Sequence, residues 1–532
     1  MSLRVSNLRL SINAPEAALL ERLSRVLGVR PGDVSSWRIL RKSLDLRDKQ
    51  AIEFVYAAEV QVPDEERFLS GRHGSVHVER FDEPPFEMPE SGEAPLPHRP
   101  VVVGSGPGGL AAAYFLAERG YQPLLLERGP PVSERIRDVK AFDEGGEFKP
   151  ESNYLFGEGG AGTFSDGKLT CRLSGPDVKR ILELFAECKG KPSILYEHRP
   201  HLGSNRLPAV VKAMRQRIEI LGGEVRFHCR VEDIDVADGT IRGLATSSGF
   251  IPASVVVLAV GHSARDTYRM LYRRGVPMVQ KPFQFGVRVE HPQDLVNRVQ
   301  YGSPRLEEKL GAADYSLVAH GRHDLFTFCM CAGGYIIPSV SEAGYFCTNG
   351  MSLSKRDSFY ANSGLVVTVP TESFGSADIL AGVRLQEQYE AKAYVVGRGE
   401  YRCPVQRATD FLANRLSPAT PATSYPRGGV SANLAELLPE LVREAVQHGL
   451  PLLDKRWQGR FLPEAVLAAP EARGSSPVRL LREDASRSSP GLAGLYSVGE
   501  GAGYAGGIVS AAVDGLRSAK AIIAKYAPLG KR

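Results

Sequence analysis

The chain has 532 residues, 43% of them hydrophobic and 24% charged, which suffices for two or three domains with complete cores. Its 66 basic and 61 acidic residues leave a net charge of +5, too mild and dispersed to indicate a nucleic-acid partner. No apolar run is long enough to span a bilayer and nothing after Met1 resembles a signal peptide. Seven cysteines make no disulfide framework, so a cytoplasmic protein with no membrane partner is expected.

Residues 1–82 read as a small N-terminal α+β domain. A strand is expected over 3–12 and a helix over 17–27, with Asn13 as cap, Pro15 in the first turn and Glu16 closing a capping box. Gly28 stops that helix. Strands follow over 37–45 and 50–62; in the second, Ile52, Phe54, Tyr56, Ala58 and Val60 share a face. Arg38, Arg41, Lys42, Arg47 and Lys49 cluster here, as a solvated edge or as a surface for an anionic partner. Residues 83–99 form a proline-rich, acidic linker.

The next stretch organises the chain. Val101, Val102 and Val103 make a short β-branched run suited to a buried parallel strand. Gly104, Gly106 and Gly109 then fit G-x-G-x-x-G. The first permits the tight turn, the second a close approach to a pyrophosphate, and the third helix–strand packing. A helix is expected over 110–119, ending at Gly120, and a strand over 124–126 ending in Glu127. Glu127 follows Gly104 by about 20 residues, where a carboxylate meets a ribose diol. An acid rather than an arginine favours FAD or NAD over NADP. The same glycine pattern recurs at Gly157, Gly159 and Gly162 and at Gly501, Gly503 and Gly506, without the flanking strand, helix and acid.

Residues 157–168 are too rich in glycine for a simple turn and can approach a ring or phosphate without Cβ clashes. A helix over 206–221 precedes strands over 224–229, 231–236 and 240–246, the last two joined by the hairpin signal Asp238-Gly239. Residues 251–260 read as one apolar strand ending in Ala259-Val260-Gly261-His262, a second place for a ligand. These readings give the first part of a dinucleotide-binding domain over 100–275. Residues 276–455 read as an inserted α+β domain for substrate, with a mixed or antiparallel sheet (283–289, 325–330) and helices over 377–393 and 405–416. The segment 456–532 returns to the first fold with a strand over 494–498, a glycine turn and a helix over 508–525. The fold class is therefore α/β, a split Rossmann-like dinucleotide-binding domain (an FAD-binding domain by the resemblance given next) with an inserted α+β domain and a small N-terminal α+β domain.

In their order, these pieces resemble the flavoproteins of the glutathione-reductase-like superfamily. Gly162-Thr163-Phe164-Ser165-Asp166-Gly167-Lys168-Leu169, Gly261-His262-Ser263-Ala264-Arg265-Asp266-Thr267, Phe328-Cys329-Met330-Cys331, Asn349-Gly350-Met351-Ser352 and Gly499-Glu500-Gly501-Ala502-Gly503-Tyr504-Ala505-Gly506-Gly507 narrow it. They resemble a bacterial family known as uncharacterised FAD-dependent, or NAD(FAD)-utilising, dehydrogenases. The resemblance spans the chain and departs at Ala332, Ala472 and Gly474. It implies FAD. Gly104, Ser105, Gly106, Pro107, Gly108 and Gly109 would hold the diphosphate, Glu127 with Arg128 the adenosine ribose, and Val231 the adenine. Gly160, Ala161, Gly162 and Thr163 would lie near the flavin or ribityl chain. Ala259, Gly261 and His262 would close the second strand end. Gly499 and Glu500 would reach the diphosphate or ribityl hydroxyls, and Gly506, Gly507 and Ile508 would face the pyrimidine edge.

A flavin performs the hydride chemistry itself, so no catalytic triad is needed and none is visible. Candidates to polarise a substrate or flavin carbonyl are His262 and Arg265. Cys329 and Cys331 stand two apart on a strand, hence on one face, as a redox pair or as packing. His198 and His201 lack the further ligands a metal would need, so no metal is expected. The expected activity is two-electron transfer through flavin N5 to or from a small molecule, with NAD(P)H as a candidate donor. A flavin-dependent RNA-modifying protein and a non-catalytic FAD scaffold or sensor are the alternatives.

Overall fold

A computed structural model describes residues 2–69 and 74–529. Met1, 70–73 and 530–532, which the expected first and last units include, lie outside the described residues.

The N-terminal unit is a four-stranded antiparallel sheet in the order Ser36–Asp45, Glu53–Gln61, Ser2–Ser11, His77–Phe81. The helix Ala18–Leu27 buries Leu19, Leu23 and Leu27 against Leu3, Val5, Tyr56 and Val60. Gly28 ends it in the left-handed conformation (φ 66°), as expected. The expected capping box does not form. Ala17 occupies the cap, and the Glu16 carboxylate instead accepts from Lys42 Nζ (2.5 Å) and the Tyr196 hydroxyl (3.3 Å). That detour reflects docking. Lys42 N–H donates to Tyr196 O (2.7 Å) and His198 N–H to Lys42 O (2.8 Å), so residues 196–198 extend the edge of this sheet.

Most of the basic cluster is tied down by the same fold, and Arg41 meets only a neutral partner. Arg38 pairs with Glu59 and Glu83, Arg41 donates to His198, Lys42 lies over the Phe54 ring, Arg47 pairs with Asp45, and Lys49 caps Val299 O.

The central layer is a parallel sheet. Leu492–Ser497, Val256–Leu258, Val101–Val103, Leu124–Leu126 and Glu224–Arg226 run side by side in that order. Val256–Leu258, Val101–Val103 and Leu124–Leu126 are buried along their whole length, which is why they read as unbroken apolar runs. The helices Pro107–Glu118 and Ile508–Lys525 pack together on the sheet so closely that a Cβ on Gly515 would overlap Gly108 O. The hairpin Asp238-Gly239 has both residues left-handed (φ 50° and 67°), as its type requires. The apolar run 251–260 is not one strand. Pro252 cannot continue a ladder, so Gly249–Pro252 ends a hairpin and Val256–Leu258 starts the parallel strand.

The second large sheet has seven strands in the order Val318–Ala319, Leu325–Cys331, Tyr360–Val369, Phe283–Pro292, Val466–Glu471, Cys403–Arg407, Gly429–Ser431. It is antiparallel except for its last pair. Val466–Glu471, which the expected boundary at 456 assigns to the returning segment, pairs with Phe283–Pro292 and Cys403–Arg407. The helix expected over 405–416 is replaced by a strand, Cys403–Arg407, and a short helix, Ala408–Leu412, because Val405 finds a ladder partner in Ala468. A helix not anticipated, Glu440–Arg456, seats Val442, Val446, Leu450 and Leu453 in the core of this layer. No helix among the described residues is long and apolar enough to cross a membrane.

Candidate functional site

Glycine turns leave the carboxyl ends of three neighbouring parallel strands. Ala259 N–H donates to Val103 O (2.8 Å) and Val498 N–H to Leu258 O (2.9 Å), which holds the three ends level. Most of these glycines are required by packing. A Cβ on Gly104 (φ 99°) would stand 2.5 Å from Ala259 O, one on Gly109 1.9 Å from Gly104 O, and one on Gly501 2.7 Å from Gly261 O. Gly106 differs: a Cβ there meets nothing within 4 Å, and its φ of −65° suits any residue.

The helix Pro107–Glu118 starts at that opening. Pro107 has no N–H, and the helical ladder begins with Leu110 N–H on Gly106 O (2.9 Å), so the N–H groups of Gly108 and Gly109 stand outside it. The ladder of Ile508–Lys525 begins with Ala511 N–H on Gly507 O (3.1 Å). A Cβ on Gly162 would lie 3.4 Å from both Pro107 Cγ and Ile508 Cγ1, so the two helix starts meet beneath the loop Gly160–Phe164. Gly159 N–H donates to Ser105 O (3.0 Å) and holds that loop down; Ala161 is exposed on it and Thr163 is buried, donating to Glu158 O (3.2 Å). The structure thus gathers 104–109, 159–163, 259–262 and 499–508, and points two positive helix ends at one place.

Glu127 is buried and spends both oxygens on this assembly. One accepts from Ser105 N–H (2.9 Å) and Oγ (2.6 Å), the other from Gly129 N–H (2.9 Å) and Gly157 N–H (3.1 Å). Arg128 is ion-paired with Glu151 (2.5 Å) and Asp266 (3.0 Å) and lies 4.1 Å from the Phe156 ring centroid. Val231 shares a core with Val103 and Leu126 beside Glu127, whose carbonyl accepts from Cys229 N–H (2.9 Å). Glu500 accepts from Ser476 N–H (2.8 Å) and lays its other carboxylate oxygen against Gly506.

Two residues here escape sequence reasoning. Arg135 is fully buried beneath the loop and donates to the carbonyls of Asn153 (2.9 Å) and Glu158 (2.8 Å); burial brings its pKa down to about 9. Its stem explains Gly157, where a Cβ would stand 2.5 Å from Arg135 Cδ. Asp514 accepts from Gly499 N–H (2.8 Å) and pairs with Arg482 and Arg487, anchoring the last glycine turn.

Arg265 is buried in an ion cluster rather than open to a substrate. Its guanidinium grips both oxygens of Glu390 (2.9 and 2.7 Å), and Arg473 grips the same carboxylate from the other side (2.8 and 2.6 Å). Burial opposes the charge on Glu390, but the two guanidiniums outweigh it and bring the carboxyl down to about 2. His262 is half-buried and hydrogen-bonds Arg473 O through Nε2 (3.1 Å); burial lowers its pKa, so the ring is neutral and Nε2–H is the donor. Arg288 forms a second buried pair with Glu471 (2.6 Å to each oxygen), and a Cβ on Gly350 would overlap Arg288 Nη1.

The two cysteines do not share a face. The pairing register shifts between Phe328 and Cys331, and Cys329 is left-handed (φ 46°), so Cys329 is exposed and Cys331 buried. Desolvation raises the buried Cys331 thiol to about 12.

Cys329 lines a cavity of about 540 Å³ where all three units meet. Beside it lies a buried polar network. Asp166 accepts from Ser352 Oγ (2.5 Å) and Arg356 Nη2 (3.2 Å), and His201 Nε2 is 3.0 Å from Ser352 Oγ. Burial, reinforced by Arg356, pushes His201 down to about 3, while Lys168 and Arg356 overcome the burial of Asp166 and keep it charged.

Family models match along the chain. One described as FAD-dependent protein, C-terminal domain-like, matches residues 282–474; one described as FAD dependent oxidoreductase matches 199–326. An NAD(P)-binding Rossmann-like domain matches 102–161, and a domain of unknown function matches 2–61. A Clostridium beijerinckii protein recorded as "Uncharacterized protein" is 41% identical over 532 residues, 99% of each chain. The chain belongs to this family of FAD-dependent oxidoreductases. This oxidoreductase also shares a local likeness, 31% over 94 residues, with the digeranylgeranylglycerophospholipid reductase of Picrophilus torridus, covering 17% of this chain and 21% of that protein. Among solved structures, glycine oxidase of Bacillus cereus aligns over 80% of this chain and 95% of its own at 13% identity, with a TM-score of only 0.33.

Proposed function

We propose that this FAD-dependent oxidoreductase holds its cofactor in a split domain, built from the segment around 100–275 and the returning strand Leu492–Ser497 with the helix Ile508–Lys525. The carrying observation is the meeting of two helix starts at an opening where Gly106 has space while Gly104 and Gly109 have none. That pattern fits a diphosphate, which needs free N–H donors and no intruding side chain. Gly104, Ser105, Gly106, Pro107, Gly108 and Gly109 form the cradle, and Gly506, Gly507 and Ile508 the facing helix start. Gly160, Ala161, Gly162 and Thr163 cover the flavin side. Glu127 and Arg128 border the adenosine ribose and Val231 the adenine. Ala259, Gly261, His262, Gly499 and Glu500 close the floor.

Bound FAD supplies two-electron chemistry through its N5 atom. The protein's own residues orient it and exclude water. His262, neutral and donating to Arg473 O, holds the second strand end in position. The electron partner is a small organic molecule or NAD(P)H. The RNA-modifying alternative is less well supported, because in the basic cluster Arg38, Lys42 and Arg47 pair with carboxylates and Lys49 donates to Val299 O.

Anaerobic addition of NADH, then NADPH, to the purified protein tests the electron partner. Rapid bleaching of the flavin band makes a nicotinamide the donor. A band that bleaches only with an organic donor assigns that role to the small molecule. A flavin that no donor reduces contradicts catalysis and leaves the scaffold reading.

A further inference from the structure

The 540 Å³ cavity lies in the size range of small-molecule sites, and no part of the cofactor cradle is needed to form it. Its lining combines two chemistries: Leu169, Leu182, Ile194 and Met330 are apolar, and Arg41, Lys168, Arg199 and Arg356 are cationic. The cations are under-compensated. Among the described residues, Lys168 and Arg356 share the single carboxylate Asp166, and Arg356 Nε is buried without a hydrogen-bond partner. Arg199 is paired with Asp314. Arg41 has no carboxylate partner among the described residues and donates to His198 Nδ1 (2.9 Å), which must therefore be the unprotonated nitrogen. Burial, Arg41 and Arg199 all lower His198, so it adds no charge. Glu197 and Asp314 are the acids on the wall, with Asp166 behind it, so the four cations outnumber them.

We infer that this cavity binds an organic anion with an apolar body, and that the N-terminal domain, through Arg41, supplies the cation that meets its head group. The domain is held in place for that role. Its edge strand is continued by residues 196–198, which carry His198 into the same wall. The loop that covers the cofactor cradle at Gly160 runs on to Lys168 in the cavity, so one segment touches both sites. Calling the occupant a substrate rests on the FAD reading; its binding does not.

The test uses the full chain and three eight-carbon probes: octanoate, octyl phosphate and octanamide. Calorimetry measures affinity, and mass spectrometry follows alkylation of Cys329, the exposed thiol of the cavity, by iodoacetamide. At least one anion should bind about tenfold more tightly than the amide and slow alkylation of Cys329. Arg41→Gln, at an exposed position, should weaken the anion about fivefold to tenfold and leave the amide unchanged. Equal affinity for anions and amide, no binding, binding without protection of Cys329, or an Arg41→Gln variant that binds as the parent does would each overturn the inference. The flavin spectrum recorded on the same samples keeps a failed cofactor reading distinct from a failed anion reading.

Discussion

Gly106 and Gly109 stand three residues apart in one motif, yet the structure gives them opposite reasons to be glycine. Alanine at 109 would force its Cβ to 1.9 Å from Gly104 O and 3.2 Å from Ala259 Cβ. Neither obstacle is the end of a flexible side chain, so the turn must shift, at a cost at or above the ~1–3 kcal/mol of ordinary overpacking. Alanine at 106 meets no protein atom within 4 Å, and φ is −65°. It should leave the flavin-free protein as stable as the parent, or firmer by about 0.4–1 kcal/mol through a less flexible unfolded chain. It would instead fill the space assigned to the diphosphate. Each charge-assisted hydrogen bond lost there is worth about 1.5–3 kcal/mol, so FAD affinity should fall about tenfold to a hundredfold for each. Denaturant unfolding of flavin-stripped protein and quenching of FAD fluorescence on rebinding read the two quantities separately. A Gly106→Ala variant that rebinds FAD with the parent's affinity would refute the cradle, and a Gly109→Ala variant of undiminished stability would refute the packing argument.

Glu390→Ala leaves the guanidiniums of Arg265 and Arg473 buried without their shared carboxylate. Breaking such a cluster should cost about 3–5 kcal/mol, read as a lower denaturant midpoint; an unchanged midpoint would mean the cluster relaxes into water. His291 is fully buried with its Nε2 on Phe461 O (2.9 Å), and burial holds it at about 4, below its ordinary 6.5. The unfolded chain takes up that proton first, so stability conferred above pH 6.5 is lost as pH falls toward 4. His291→Gln should flatten the stability profile in that window, and a variant with the parent's slope would assign the loss to other groups.

What the sequence revealed depends on the range of the forces involved. The turn at Gly104–Gly109 and the helix Ile508–Lys525 were legible because glycine spacing and apolar runs act over a few residues. Helix Glu440–Arg456 was hidden by Gly449 and Pro451, which break helices locally but are tolerated where Leu450 and Leu453 gain a core. Arg265 read as a candidate for chemistry because its partner, Glu390, lies 125 residues away. Cys329 and Cys331 were placed on one face by strand periodicity, and a bulge visible only in the pairing separates them. The cavity has walls from three units, so no single stretch announces it.

Whether the glycine cradle holds FAD is read most directly from the visible spectrum of the purified full chain, with the released flavin identified and counted. One FAD per chain is expected, either as purified or after FAD is supplied, and its loss in Gly106→Ala. A chain that shows no flavin band even after incubation with FAD would contradict it.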